Sequence, residues 1–394
     1  MNPSASGWID KFGHLVKERP PGYADFPTLY EKLKKTGFIY GFNIGIPDFI
    51  KPEHKLSEDE KAKVNLLTSL YFTYRFKHPD EPFNAFLDCI FNFYQKLDVA
   101  SISFLNKILT GKKTSSQLEK LVDSRVYLED NMISKTFNRV ITNSLLVIDV
   151  LTFRRYLENA TDIRQHAQDL EYITINLTYH AFTAKEKKKK NKKLEQLFAT
   201  SLSFIESDKE QYDASYRERL VAQFHPEENQ YFLDVACLTV WEDHTLEYIE
   251  SEFIYKAGRD LGVEEDQIVK SLVDVTRFFN QHLKKIPQLK DQHLAGQFYD
   301  SMSKVVNKLI LRNSKRLQKE LSESKELVYL LSKATVKDLS PEEKKKVQNQ
   351  LIDIFKSIPS LAIFILPGGA VLLPIFIKLI PKLLPSAFDE NRVD

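Results

Sequence analysis

Glycine and cysteine are scarce in this chain of 394 residues, at 12 and two respectively. Few glycines leave little material for phosphate-cradling loops or turn-rich β architectures. Leu109-Thr110-Gly111-Lys112-Lys113-Thr114 has the end of a phosphate-binding loop, but Asn106 stands where its upstream glycine belongs. The two cysteines, Cys89 and Cys237, form no CxxC pair, which removes zinc and dithiol chemistry. Both lie in apolar, helix-like surroundings and read as buried thiols. The opening stretch, MNPSASGWIDKFGHLVKERPP, has no apolar centre and reads as no signal peptide. No HExxH, GxSxG or nucleotide fingerprint is present, and the nine histidines are scattered. The sequence therefore gives no reason to assign a reaction, and the expectation is a protein that is not an enzyme. Net charge is +2, so the whole molecule has no field that would gather nucleic acid, and no sequence-specific nucleic-acid partner is expected.

What is abundant is helical periodicity. Ser57-x-x-Glu60 is a capping box, followed by Leu66, Leu67, Leu70, Tyr71 and Tyr74 at helical spacing. Leu87, Ile90, Phe91, Tyr94 and Leu97 repeat the pattern as a core stripe. Between 170 and 180 the spacing suits either a strand or a helix, and helical neighbours favour the helix. Gly37, Gly41 and Gly45 recur every four residues, in a stretch that reads as small-residue packing or a loop. The reading is all-α: a multi-helix soluble body with a proline-broken apolar segment of membrane type near the C-terminus. Its expected parts are an N-terminal extension (1–55), a helical domain (56–225), a second helical domain (226–300), a long helix or linker (301–356), the apolar segment (357–388) and a tail (389–394). Residues 290–335 read as one long amphipathic helix, and Ser340-Pro341-Glu342-Glu343 as the start of another.

The apolar segment is the longest uncharged stretch: 21 residues from Ser357 to Ile377, SIPSLAIFILPGGAVLLPIFI. It holds twelve Leu, Ile, Val or Phe residues. They favour a bilayer centre by about 4–7 kcal/mol in total. Pro359, Pro367 and Pro374, with Gly368 and Gly369, oppose this, at about 3 kcal/mol for a proline inside a helix. The sums are comparable. A straight span, a re-entrant hairpin broken at Pro367-Gly368-Gly369, an interfacial arm and a buried core segment all stay open.

The residues from about Leu339 to Glu390 resemble the start of the conserved domain of the LETM family (leucine-zipper/EF-hand-containing transmembrane proteins). The resemblance is carried by Asp353-Ile354-Phe355 before Ile358-Pro359, then Leu372-Leu373-Pro374, Lys378-Leu379-x-Pro381 and Leu384-Pro385-Ser386-x-Phe388. It covers only the C-terminal ~50 residues and is similar to a bacterial, biofilm-associated type. It implies a bacterial inner-membrane protein with its N-terminal body in the cytoplasm, linked to cation homeostasis or envelope organisation. Membrane lipid, protein partners and the ribosome are the partners it implies. Pro359, Pro367, Gly368, Gly369, Pro374, Lys378, Pro381, Pro385 and Phe388 would form the membrane segment. Two departures stand out. The family places a glutamate between its two central prolines where this chain has Ala370, and its ribosome-binding portion would begin only about where the chain ends.

Two smaller readings complete the sequence. Residues 231–279 are similar to TerB-like helical domains. Asp243 and Glu250, seven apart, would there offer a divalent metal two carboxylates; no other cofactor is expected. The run 185–193 holds seven lysines in nine residues. It reads as a solvated loop, or as a contact for anionic lipid through Lys187, Lys188, Lys189, Lys190, Lys192 and Lys193. The alternative to membrane association is a cytosolic helical scaffold or adaptor whose C-terminal arm packs on the protein itself. The position of 357–388 decides between them.

Overall fold

The computed structural model describes residues 1–18, 22–97, 113–126, 146–184, 224–240, 248–282, 306–307, 309–311, 313–334, 337, 339–358, 361, 373–385 and 388. The described residues form helices and connecting turns, with no strand among them. The first seven helices are α1 (Trp8–Glu18), α2 (Phe26–Thr36), α3 (Glu58–Lys77), α4 (Phe83–Lys96), α5 (Ser115–Val126), α6 (Leu146–Glu158) and α7 (Ile163–Ala184). They continue as α8 (Pro226–Val240), α9 (Tyr248–Asp260), α10 (Glu265–His282), α11 (Ser314–Ser322), α12 (Lys325–Ala334), α13 (Pro341–Ser357) and α14 (Leu373–Leu383).

Helix α3 is the axis of the N-terminal half. Its capping box forms as the sequence predicts: Ser57 Oγ accepts from Glu60 N at 3.2 Å, and Glu60 accepts from Ser57 N at 2.7 Å. Every residue from Ala62 to Tyr74 is buried, because α2, α4, α5 and α6 surround it. The stripe Leu87, Ile90, Phe91, Tyr94 and Leu97 is core. The stretch 170–180 is helical, inside α7, where Thr174 and Thr178 donate to the carbonyls of Leu170 and Thr174. Residues 1–55 pack into this half through α1 on α5 and α2 on α3.

The glycine series is a loop. Gly37 caps α2 in the left-handed region at φ +83, and a Cβ there would meet Phe278 Cζ at 2.9 Å. The chain beyond it turns inward, with Phe38, Ile39, Tyr40 and Phe42 buried. Asn65 Nδ2 stitches it to α3 through Asn43 Oδ1 (3.0 Å) and the carbonyl of Gly45 (3.1 Å).

Helices α8, α9 and α10 pack on one another, and α8 makes its broadest contact with α7. Gly262 follows α9 at φ +67, the left-handed ending its position predicts. Phe278 and Phe279 of α10 lie on Phe42, which ties this layer to the N-terminal loop.

Residues 314–334 correct the expectation of one long helix over 290–335. Helix α11 ends at Ser322, and Ser324 starts a new helix, its hydroxyl accepting from Leu327 N at 3.3 Å. A serine there satisfies a free helix N-terminus, so the chain folds back and buries Leu317, Leu321, Leu327 and Leu331 together. Residues 283–305 lie outside the described residues. The thiols also need correction: Cys237 is fully buried, whereas Cys89 is only half-buried.

Candidate functional site

The C-terminal module is built around α12, which packs against α11, α13 and α14. Leu327, Val328, Leu330 and Leu331 form its inner face. Helix α13 starts with a second capping box. Ser340 Oγ accepts from Glu343 N at 3.3 Å, Glu343 accepts from Ser340 N at 2.9 Å, and Pro341 fills the first turn.

Helices α12 and α13 run antiparallel, and a polar seam fixes their register. Lys333 Nζ lies 2.5 Å from Glu343, Lys346 Nζ lies 2.7 Å from Glu326, and Ser324 Oγ donates to Gln350 at 2.9 Å. As one partner descends α12 from 333 to 326 to 324, the other ascends α13 from 343 to 346 to 350. The hydrogen bond from Lys346, then its charge, holds the Glu326 carboxyl below its ordinary value. The hydrogen bond from Lys333, with that from Ser340 N, does the same for Glu343. Both lysines are correspondingly raised.

Helix α14 lies against α12. Leu373, Pro374, Ile375, Phe376, Ile377 and Ile380 are buried, and Phe376 meets Phe355 of α13 edge-on at 5.0 Å. Pro374 sits in the first turn, where its missing N–H costs no bond. Pro381 lies inside the helix and leaves one carbonyl of the preceding turn without its usual donor.

The predicted membrane-segment residues therefore separate. Pro374 and Phe388 are buried, Pro381 is half-buried, and Lys378 and Pro385 are exposed. Pro359, Pro367, Gly368 and Gly369 lie outside the described residues. The described portion of the segment packs against the rest of the module. Helix α14 has 11 residues, about 16 Å of helix, and its apolar face is covered by its own module. Among the described residues no helix is long and apolar enough to cross a membrane. Lys187, Lys188, Lys189, Lys190, Lys192 and Lys193 lie outside the described residues, as does Asp243. Glu250 falls in α9, its side chain outside the description. Among the described residues no group of three His, Cys, Asp or Glu side chains is placed to hold a metal.

Three buried polar clusters were not anticipated. Asp234 on α8, fully buried, accepts from Tyr30 Oη at 2.9 Å and Lys34 Nζ at 3.1 Å, both on α2. Lys34 also reaches Asp274 of α10 at 3.3 Å. Burial works against its charge, but Asp234, Glu31 and Asp274 outweigh it and raise the ammonium's pKa. Asp149 on α6 accepts from Arg125 Nε at 2.7 Å and Nη2 at 2.8 Å, and from Tyr94 Oη at 2.9 Å. Glu228 lies 2.7 Å from His166 Nε2 and accepts from His225 N at 2.8 Å. Each cluster joins helices that are separate in sequence.

Neither a curated protein nor a solved structure matches the chain. No comparison supports the TerB-like resemblance at 231–279. The family model that carries the ribosome-binding name covers residues of this chain, ahead of where the resemblance put that portion. Residues 339–394 match the family model described as LETM1-like, RBD (ribosome-binding domain), so α13 and α14 form the LETM-related part of this protein.

Proposed function

We propose that this chain is a non-enzymatic helical docking protein whose C-terminal module engages the ribosome. One observation carries the reading: the module holds a surplus of positive charge in a nearly neutral molecule. Residues 314–394 hold thirteen Lys and Arg against ten Asp and Glu, a surplus of three in a chain whose total is +2. The remainder is therefore net negative. Lys315, Arg316 and Lys319 share one exposed face of α11 and make no ion pair with a described residue. Such a face suits a polyanion, and the matched family model names the ribosome. The self-contained packing of α14 supports a module that folds without lipid.

The test is co-sedimentation of the detergent-free full chain with ribosomes across a salt series. The chain is expected to pellet at low salt and to release as salt rises. Replacing Lys315, Arg316 and Lys319 by Glu is expected to weaken pelleting at least ~10-fold, through lost phosphate contacts. A chain left in the supernatant with ribosomes at low salt contradicts the reading.

A second reading, membrane association, is favoured by the uncharged run 357–377, of which 359–360 and 362–372 lie outside the described residues. LETM-family proteins are membrane proteins. A role in cation homeostasis or envelope organisation belongs to this reading. Flotation with anionic vesicles that is lost on deleting 357–388 would favour it over docking alone.

A further inference from the structure

Tyr329 is 65% exposed, the highest value among the large hydrophobic side chains open to solvent in the described residues. It sits on α12, whose opposite face is the core of the module. Lys325 lies one helical turn before it and Lys333 one turn after it, on the same side. Glu326, nearly one turn before the ring, is already engaged by Lys346, and Lys333 by Glu343. Lys325 is exposed and makes no ion pair with a described residue. The ring thus stands alone in a setting of neutralised acids and an uncommitted lysine.

We infer that Tyr329 is a stacking platform for an unpaired RNA base, with Lys325 taking a neighbouring phosphate. The inference rests on the ribosome-docking reading and names the part of the partner that this face meets. An aromatic ring between lysines binds single-stranded RNA with little regard to sequence, because every base has a π-face and every linkage a charge. A lipid surface would ask for several apolar side chains together, and α12 shows one ring among charges.

The experiment is fluorescence anisotropy of a labelled oligouridine with the full chain and with Tyr329→Ala, Tyr329→Phe and Lys325→Glu. Tyr329→Ala is expected to bind about 10-fold more weakly, as loss of one stacked base implies. Tyr329→Phe keeps the ring and is expected to bind as the parent does. Lys325→Glu is expected to weaken binding and flatten its salt dependence. None should change the melting temperature, since both side chains are exposed. Equal affinity for the parent and Tyr329→Ala overturns the proposal. So does a chain that ignores oligouridine and binds anionic vesicles through Tyr329. Ribosome pelleting separates the two readings. Equal pelleting of parent and Tyr329→Ala keeps docking and overturns this contact. Tyr329-dependent oligouridine binding without pelleting keeps this contact and overturns docking.

Discussion

Phe376 of α14 and Phe355 of α13 meet edge-on, at 90° with 5.0 Å between ring centroids. Phe376 has no exposed surface and Phe355 is 1% exposed. The side chain most suited to a bilayer is thus spent on the protein's own helix. Truncating it removes a buried ring and leaves a cavity. Phe376→Ala is expected to cost about 3–5 kcal/mol, read from denaturant unfolding of the full chain without detergent. A loss near zero would mean that the ring has no packed environment in water.

The Lys34–Asp234 pair makes a separate prediction for the body. Asp234→Ala strands a buried ammonium and removes the acceptor of Tyr30 Oη. Breaking a buried pair costs about 3–5 kcal/mol, and the lower end applies here because Asp274 still faces Lys34. Replacing both partners, Lys34→Met with Asp234→Leu, is expected to cost less than Asp234→Ala alone, because the one charge left, Asp274, is partly exposed and still paired with Lys270 and Arg277. The reverse order in denaturant midpoints would contradict the pairing.

The α12–α13 seam predicts an acid dependence. Glu326 and Glu343 have folded values below the ordinary 4.5, so the stability they contribute is complete above pH 4.5. It fades as pH falls through the lower folded values. The double variant Glu326→Gln/Glu343→Gln should therefore melt below the parent at neutral pH. The gap should close under acid. A gap that stays constant from neutral to strongly acid pH would refute the seam.

The thiols should react slowly in the folded protein. Burial, then Glu81, pushes Cys89 up to about 11, and burial raises Cys237 well above its ordinary value. Little thiolate is present near pH 8 at either position. Ellman's reagent is expected to react slowly with both in the native state, Cys89, the half-buried one, being the faster, and to titrate them promptly only after denaturation. Prompt native reaction of Cys237 would contradict its burial.

Much of the fold was legible because its signals are local. Ser57/Glu60 and Ser340/Glu343 each place a helix start within four residues, and Gly262 marks a helix end. The break at Ser322–Ser324 was not legible. Its polar residues fit a helix surface as well as a turn, and the deciding factor is burial of leucines from both sides. The ion clusters join partners far apart in sequence, 200 residues for Lys34 and Asp234. A trace did exist: Asp149 in LLVIDVLTF and Asp234 in YFLDVACLTV are lone acids in apolar helix stretches, and such an acid needs a buried partner. The family of the C-terminal stretch was readable from its prolines. The fate of its apolar side chains was not, because a packed core and a bilayer ask for the same residues.

Hydrogen exchange over peptides covering 373–388, in buffer with and without anionic vesicles, tests the central point most directly. Slow exchange in plain buffer, matching α13 and unchanged by vesicles, is the predicted result. Fast exchange in buffer, with protection appearing only on vesicles, would show that lipid and not the module holds this helix.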